Sequence, residues 1–254
     1  MRRFLLWGLP LTVALASTVI FGFGFVSFLR GDTGRPVDFV PQQRASAATA
    51  TPSRVVAPIV LGDSLARGAG DEAGLGIPGR LDNELRRRNI KANRTISLGI
   101  NGARTPDLQR QIESANVRGL LRDANVIVVS IGGNDLWGGA NWREAPPTDP
   151  DAAMTQVLDR IAAIVGEIRE VNPTARIFFI GLYNPFVKTP NGAMLSTYVA
   201  QWNARVLERF GRDGNFTLVQ TSDLFSHKDR LALDRFHPGG EGYELIARRI
   251  ADGL

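Results

Sequence analysis

From residue 54 onward, unbroken apolar runs alternate with apolar residues at helical spacing. Val55 to Leu61 is a strand-like run, Leu81 to Arg88 reads as a short helix, and Thr95 to Leu98 is a brief β-type run. Val126 to Ile131 and Ile177 to Leu182 are continuous apolar runs, of the kind a parallel sheet needs when both faces are covered. Between them Val157, Ile161, Ile164, Val165, Ile168 and Val171 form a helical stripe that Asn172-Pro173 stops. Leu195, Tyr198, Val199, Trp202, Val206 and Phe210 form a second stripe before the strand-like Phe216 to Val219. Tyr243, Ile246 and Ile250 mark the last helix. These stripes are core positions. Strands alternating with helices predict one α/β domain over residues 54–254, layered α/β/α about a parallel sheet of about five strands.

The N-terminal fifth differs. Phe4 to Leu29 holds 26 residues without a charge, preceded by Arg2 and Arg3. At about 1.5 Å per residue, such a helix exceeds the roughly 30 Å hydrocarbon core of a bilayer. Cleavable signal peptides have apolar stretches of about 7–15 residues, so residues 1–30 are expected to be an uncleaved membrane anchor. Ala45-Ser46-Ala47 resembles a cleavage site far past that stretch, and cleavage there would leave a secreted protein. The twin arginine places the N-terminus in the cytoplasm and the rest of the chain outside. Residues 31–53 carry Gly, Pro, Ser, Thr and Ala with few large apolar side chains, and they read as a tether.

Charge and cysteine content narrow the class. The net charge is +5, but the first 53 residues hold five Arg against Asp32 and Asp38, leaving only +2 for the remaining chain. No concentrated basic face with interleaved aromatics follows, which argues against nucleic-acid binding. Cys is absent, which removes disulfides, thiolate metal sites and cysteine nucleophiles. Two histidines without Cys offer no recognisable metal shell, and no metal or other cofactor is expected.

In α/β sheets, ligands collect at the carboxyl ends of the strands. After the first run come Asp63-Ser64, after the second Gly99-Ile100-Asn101-Gly102, and after the third Gly132-Gly133-Asn134-Asp135. After the last run comes a region containing Asp234 and His237. Singly these are ordinary turn residues; together they share one edge of one sheet. A serine at a strand end, with an Asp and a His three residues apart, supplies the nucleophile, orienting group and base of acyl transfer.

These blocks resemble the GDSL, or SGNH, hydrolase family, whose named residues are Ser, Gly, Asn and His. They match Ser64 in Gly-Asp-Ser-Leu, Gly102 in Gly-Ile-Asn-Gly, Asn134 in Gly-Gly-Asn-Asp, and His237 in Asp-Arg-Phe-His-Pro, in the family's order from about Val55 to Leu254. Where the family often has Asn, two residues before Gly99, this chain has Ser97. The functional glycine is therefore Gly99 or Gly102, with Gly102 preferred. The resemblance implies a flavodoxin-like fold and a serine esterase, lipase or acylhydrolase. Ser64 is then the nucleophile, His237 the base and Asp234 its orienting carboxylate. The oxyanion hole is the backbone N–H of Ser64 and of Gly102 with the side-chain amide of Asn134.

The remaining candidates take lesser roles. His227 is read as a solvated loop residue, Asp63 as a turn-holding carboxylate and Asp135 as support for the loop after Asn134. Gly74 to Gly79 has the spacing of a dinucleotide fingerprint but not its strand or its acidic residue, and reads as a flexible loop near the serine. Ser64 lacks the Gly-x-Ser-x-Gly elbow, which disfavours the α/β-hydrolase fold. Trp137, Trp142 and Phe186 lie in loops beside the expected site, where they line an acyl pocket or pack on the sheet edge. The partners expected are the membrane, through the N-terminal helix, and a small-molecule, lipid or cell-envelope acyl-ester substrate. Two readings follow: a membrane-tethered extracytoplasmic serine hydrolase of carboxylic esters, or a catalytically silent domain of the same fold that binds an envelope lipid or glycan.

Overall fold

A computed structural model describes residues 55–137, 149–226 and 230–254, with Leu15, residues 17–19, residues 21–23 and Val26 from the N-terminal part. The chain divides into two units, Met1–Ala50 and Thr51–Leu254. In the first, the described residues are helical and exposed. Among the described residues no helix is long and apolar enough to cross a membrane. The expected anchor and the tether fall largely outside them.

The second unit is built on five strands: β1 (Pro58–Gly62), β2 (Ile96–Gly99), β3 (Val126–Ser130), β4 (Arg176–Ile180) and β5 (Phe216–Val219). They form one sheet in the order β2-β1-β3-β4-β5, with every neighbouring pair parallel. Helices α1 (Ser64–Arg67) and α2 (Gly76–Arg87) follow β1. Helices α3 (Thr105–Glu113) and α4 (Ala115–Asp123) follow β2, and α5 (Gly133–Leu136) and α6 (Pro150–Val171) follow β3. Helix α7 (Gly192–Phe210) follows β4, and α8 (Gly240–Asp252) closes the chain.

Side chains along a strand alternate between faces, and the sheet sorts them accordingly. Ile59, Leu61, Ile127, Val129, Ile177 and Phe179 pack with α3, α4, α6 and α7 through Leu108, Leu121, Ile161 and Trp202. Val60, Val128, Phe178 and Ile180 pack on the opposite face with α2 and α8 through Ile77, Leu81, Tyr243 and Ile246. Both faces are dry, which is why the strand runs carry no polar alternation. The three-layer arrangement and the five strands agree with the sequence pattern.

Two expectations change. Residues 76–79 are not a loop but the first turn of α2, where Gly76, Ile77 and Pro78 are buried. Pro78 fits because N–H groups in a helix's first turn have no intrahelical acceptor. Helices α3 and α4 had no counterpart in the apolar pattern. Their buried residues, Leu108, Ile112, Val117 and Leu121, straddle a break at Ser114, so neither helix repeats its stripe long enough to be legible.

Candidate active site

The strand order reverses between β1 and β3, and chains leaving such neighbours diverge to opposite sides and open a crevice at the carboxyl edge. Ser64 leaves β1 through Asp63, which caps α1 by accepting a hydrogen bond from the Leu65 N–H at 3.0 Å. The Ser130 hydroxyl at the end of β3 donates to the same Asp63 oxygen at 2.9 Å, so one buried carboxylate ties the two strand ends together. Burial raises the Asp63 carboxyl from 3.8 to about 6, against the lowering effect of those hydrogen bonds. Asp63 therefore holds the turn, as its position suggested.

Residues 64 and 237 meet at this edge. His237 Nε2 lies 2.9 Å from Ser64 Oγ, and His237 Nδ1 lies 2.6 Å from Asp234 Oδ2. With the ring proton on Nδ1, Nε2 is free to accept from the serine hydroxyl. Asp234 Oδ1 also accepts from the backbone N–H groups of Phe236 and His237, at 2.9 and 3.0 Å. Desolvation pushes the Asp234 carboxyl up, but the hydrogen bonds from the imidazole and the two backbone groups outweigh it and hold it below the ordinary carboxylate range. An ionised carboxylate against Nδ1 is what stabilises an imidazolium.

Several residues outside the four sequence blocks hold this loop. The Tyr183 hydroxyl donates to the Phe236 carbonyl at 2.7 Å, and burial raises that phenol well above its ordinary value, so it remains a donor. The Tyr243 hydroxyl donates to the Ala69 carbonyl at 2.6 Å, and Glu72 accepts from the Gly240 N–H at 2.8 Å. Arg80 pairs with the buried Asp71 at 2.8 and 2.9 Å, which ties the segment between α1 and α2 to the start of α2. Tyr183 stood next to a recognised strand run, but no local spacing announces a bond across 53 residues.

Asn134 lies in the first turn of α5, and its side-chain amide donates to the Ala103 carbonyl at 2.9 Å, its second N–H making no hydrogen bond among the described residues. Asp135 does more than support its own loop: it accepts from the Thr105 N–H at 2.9 Å and the Thr105 hydroxyl at 2.6 Å, joining α5 to the start of α3. The two glycines of the second block separate by sterics. A Cβ on Gly99 would sit 2.2 Å from the Arg67 nitrogen, so Gly99 lets α1 pack on β2. Gly102 has φ +76 and open space around it, consistent with a backbone that a ligand approaches. Neither Ser64 N–H nor Gly102 N–H makes a hydrogen bond among the described residues.

A cavity of about 50 Å³ is lined by Ser64, Asn134, Trp137, Leu182, Tyr183 and Phe236, among others. Gly102 does not line it; it borders a neighbouring hollow with Ile100 and Asp107. Trp137 both lines the cavity and packs on Tyr198, with ring centroids 5.1 Å apart. Trp142 and His227 lie outside the described residues. Among the described residues no cluster of acidic or histidine side chains could hold a metal ion.

A serine, histidine and aspartate joined in series at the carboxyl edge of a parallel sheet is the arrangement that serine hydrolases use. The sequence profile of the GDSL-like lipase/acylhydrolase family matches residues 60–245, and the chain belongs to that family. It is 30% identical over 202 residues to the uncharacterised protein YpmR of Bacillus subtilis (strain 168), covering 76% of this chain and 79% of that protein. It is 26% identical over 204 residues to the spore germination lipase LipC of Bacillus licheniformis, covering 75% of this chain and 92% of that one. The fold matches the crystal structure of the lipase Lip_vut3 from a goat rumen metagenome with a TM-score of 0.68 and 22% identity, over 78% of this chain and 97% of that one.

Proposed function

We propose that the chain is a serine hydrolase of carboxylic esters, tethered to the membrane by residues 1–30 with its catalytic domain outside the cytoplasm. The relay from Ser64 Oγ through His237 to Asp234, at 2.9 and 2.6 Å, carries the reading. His237 Nε2 takes the serine proton as Oγ attacks the acyl carbon, and Asp234 steadies the imidazolium. The carbonyl oxygen becomes an oxyanion that the N–H groups of Ser64 and Gly102 and the free amide N–H of Asn134 stabilise. As the intermediate collapses, the imidazolium gives its proton to the departing alcohol oxygen. Water then attacks the acyl-enzyme with His237 again as base, releasing the acid and restoring Ser64.

Membership of a lipase and acylhydrolase family and likeness to a spore germination lipase support ester chemistry. The uncharged stretch from Phe4 to Leu29 supports the tether and the extracytoplasmic placement. Fluorophosphonate labelling of residues 54–254 tests the nucleophile. Covalent labelling of the wild type, lost in Ser64→Ala, is expected; a folded wild-type domain that takes no label would instead indicate a silent binding domain.

A further inference from the structure

The segment that carries His237 is a small hairpin with a leucine in its turn. Leu231 and Pro238 form an antiparallel bridge, the Ala232 N–H donates to the His237 carbonyl at 2.8 Å, and the Arg235 N–H closes the turn onto the Ala232 carbonyl at 2.9 Å. Asp234 braces the returning arm by accepting from the Phe236 and His237 N–H groups. Leu233 sits inside that turn and is 98% exposed, more than any other large apolar side chain described in the second unit. Tight turns ordinarily carry Gly, Pro, Asn, Asp or Ser, which need no apolar partner. Here backbone bonds hold a leucine out in water, next to the carboxylate that orients the base.

Neighbouring segments extend this apolar surface. Ile100, Val187 and Met194 are exposed where the chain leaves β2 and β4 at the same carboxyl edge. The Phe186 and Phe236 rings stack with centroids 6.1 Å apart, which joins the segment after β4 to the hairpin. Leu231, Ala232 and Leu233 line one open groove of about 940 Å³ with Pro185, Phe186 and Pro190, and Asp234 borders it. Its charged residues are Glu72, Asp234, Lys188 and Arg235, whose formal charges sum to zero. The surface therefore offers apolar contact and no net charge of either sign.

A bilayer is the apolar partner that the proposed tether keeps within reach. The 23 residues from Gly31 to Ser53 span at most about 80 Å, whereas a compact domain of about 200 residues is roughly 40 Å across. Entry of the chain at the amino edge, where β1 begins with Pro58, thus leaves the carboxyl edge free to meet lipid. We infer, on the reading of residues 1–30 as a membrane tether, that the carboxyl edge docks on a phospholipid bilayer, with Leu233 entering the interface and Val187 and Met194 resting on it. Docking of this kind turns the relay of Ser64, His237 and Asp234 toward esters held in the bilayer.

The chain has no Cys, so Leu233→Cys and Leu207→Cys each create a single site for an environment-sensitive fluorophore. Leu207 serves as the control, half exposed near the far end of α7. The full chain is reconstituted into phosphatidylcholine vesicles, with and without phosphatidylglycerol, that contain nitroxide-labelled lipids. The label at 233 is expected to shift to the blue and to be quenched by nitroxides about 5–10 Å below the headgroups, while the label at 207 stays aqueous. Both lipid mixtures and raised salt should give the same quenching, because the contact is apolar. Leu233→Ser should lower the ratio of docked to free domains, read from a label at Val187→Cys, by about tenfold or more. On chains that float with the vesicles, a 233 label as aqueous as the 207 label overturns the docking alone. Shielding of the 233 label from iodide without lipid quenching also overturns it and indicates a second copy of the chain, and quenching lost at high salt overturns the apolar contact. Chains that do not float with the vesicles remove the tether reading together with the docking.

Discussion

Gly70 is where the placement of His237 can be disturbed without touching any group that reacts. A Cβ built there lies 2.8 Å from the His237 Cβ, 2.7 Å from the Pro238 carbonyl oxygen and 2.9 Å from the Ala232 Cβ. Ordinary contact begins near 3.4 Å, so Gly70→Ala must displace the histidine by roughly 0.6 Å, the difference between 3.4 and 2.8 Å. A shift of that size lengthens the 2.9 Å bond between Nε2 and Ser64 Oγ to at most about 3.5 Å, the outer edge of useful hydrogen bonding. A misplacement near 1 Å costs on the order of 10²-fold in rate, so a fall of roughly 10–10²-fold in kcat is expected. Gly70 also has φ +91, and alanine there carries backbone strain of about 1–2 kcal/mol, or roughly 2–8 °C in Tm for a domain of this size. Gly74→Ala separates the two effects, since Gly74 has φ +65 but nothing within 4 Å of its Cβ. Continuous hydrolysis of a chromogenic butyrate ester, with thermal melts of both variants, makes the comparison. Both should melt earlier, and only Gly70→Ala should lose turnover. Activity of folded Gly70→Ala within twofold of Gly74→Ala would refute the reasoning that this contact sets the histidine.

Other outcomes follow from the same geometry. Asn134→Ala should lower kcat on the order of 10²–10³-fold while costing about 1 kcal/mol for the lost bond to Ala103; a rate unchanged in steady-state kinetics removes Asn134 from the oxyanion role. Tyr183→Phe removes the hydrogen bond to the Phe236 carbonyl and should cost about 1 kcal/mol in denaturant unfolding, with a fall in kcat larger than any change in KM. Asp63 binds its proton more tightly folded than unfolded, about 6 against 3.8, so its protonation stabilises the fold fully only below 3.8, and that contribution disappears as pH rises past about 6. The wild type should therefore lose about 2 kcal/mol relative to Asp63→Asn between pH 4 and 7, and a flat difference curve from urea unfolding would contradict the buried carboxylate. The small cavity has room for about four non-hydrogen atoms where one water needs about 10–15 Å³, so acetyl to butyryl esters should outpace octanoyl esters; a rise in kcat/KM with chain length would place the acyl group elsewhere.

How much was legible beforehand depended on range. Strands β1, β3, β4 and β5 and helices α6, α7 and α8 announce themselves because burial on both faces, or on one helical face, leaves a periodic trace in neighbouring residues. Ser64, Asn134, Asp234 and His237 stand at the ends of those traces, where an α/β sheet places its ligands, so their convergence could be expected before any coordinates. Helices α3 and α4 left too short a stripe, and the first turn of α2 was concealed by glycines and a proline that ordinarily signal a loop. What no local pattern carries is contact across the sheet. The Ser130 hydroxyl on Asp63, the Tyr183 hydroxyl on Phe236, Glu72 on Gly240 and the fit of Gly70 against His237 arise only when separate crossovers return to one edge. Residue types and strand ends, being local, named the candidate reacting groups. The tertiary packing alone decided their distances, the different roles of Gly99 and Gly102, and the unequal spaces at the two ends of the relay, because each depends on atoms far apart in the chain meeting within bonding range.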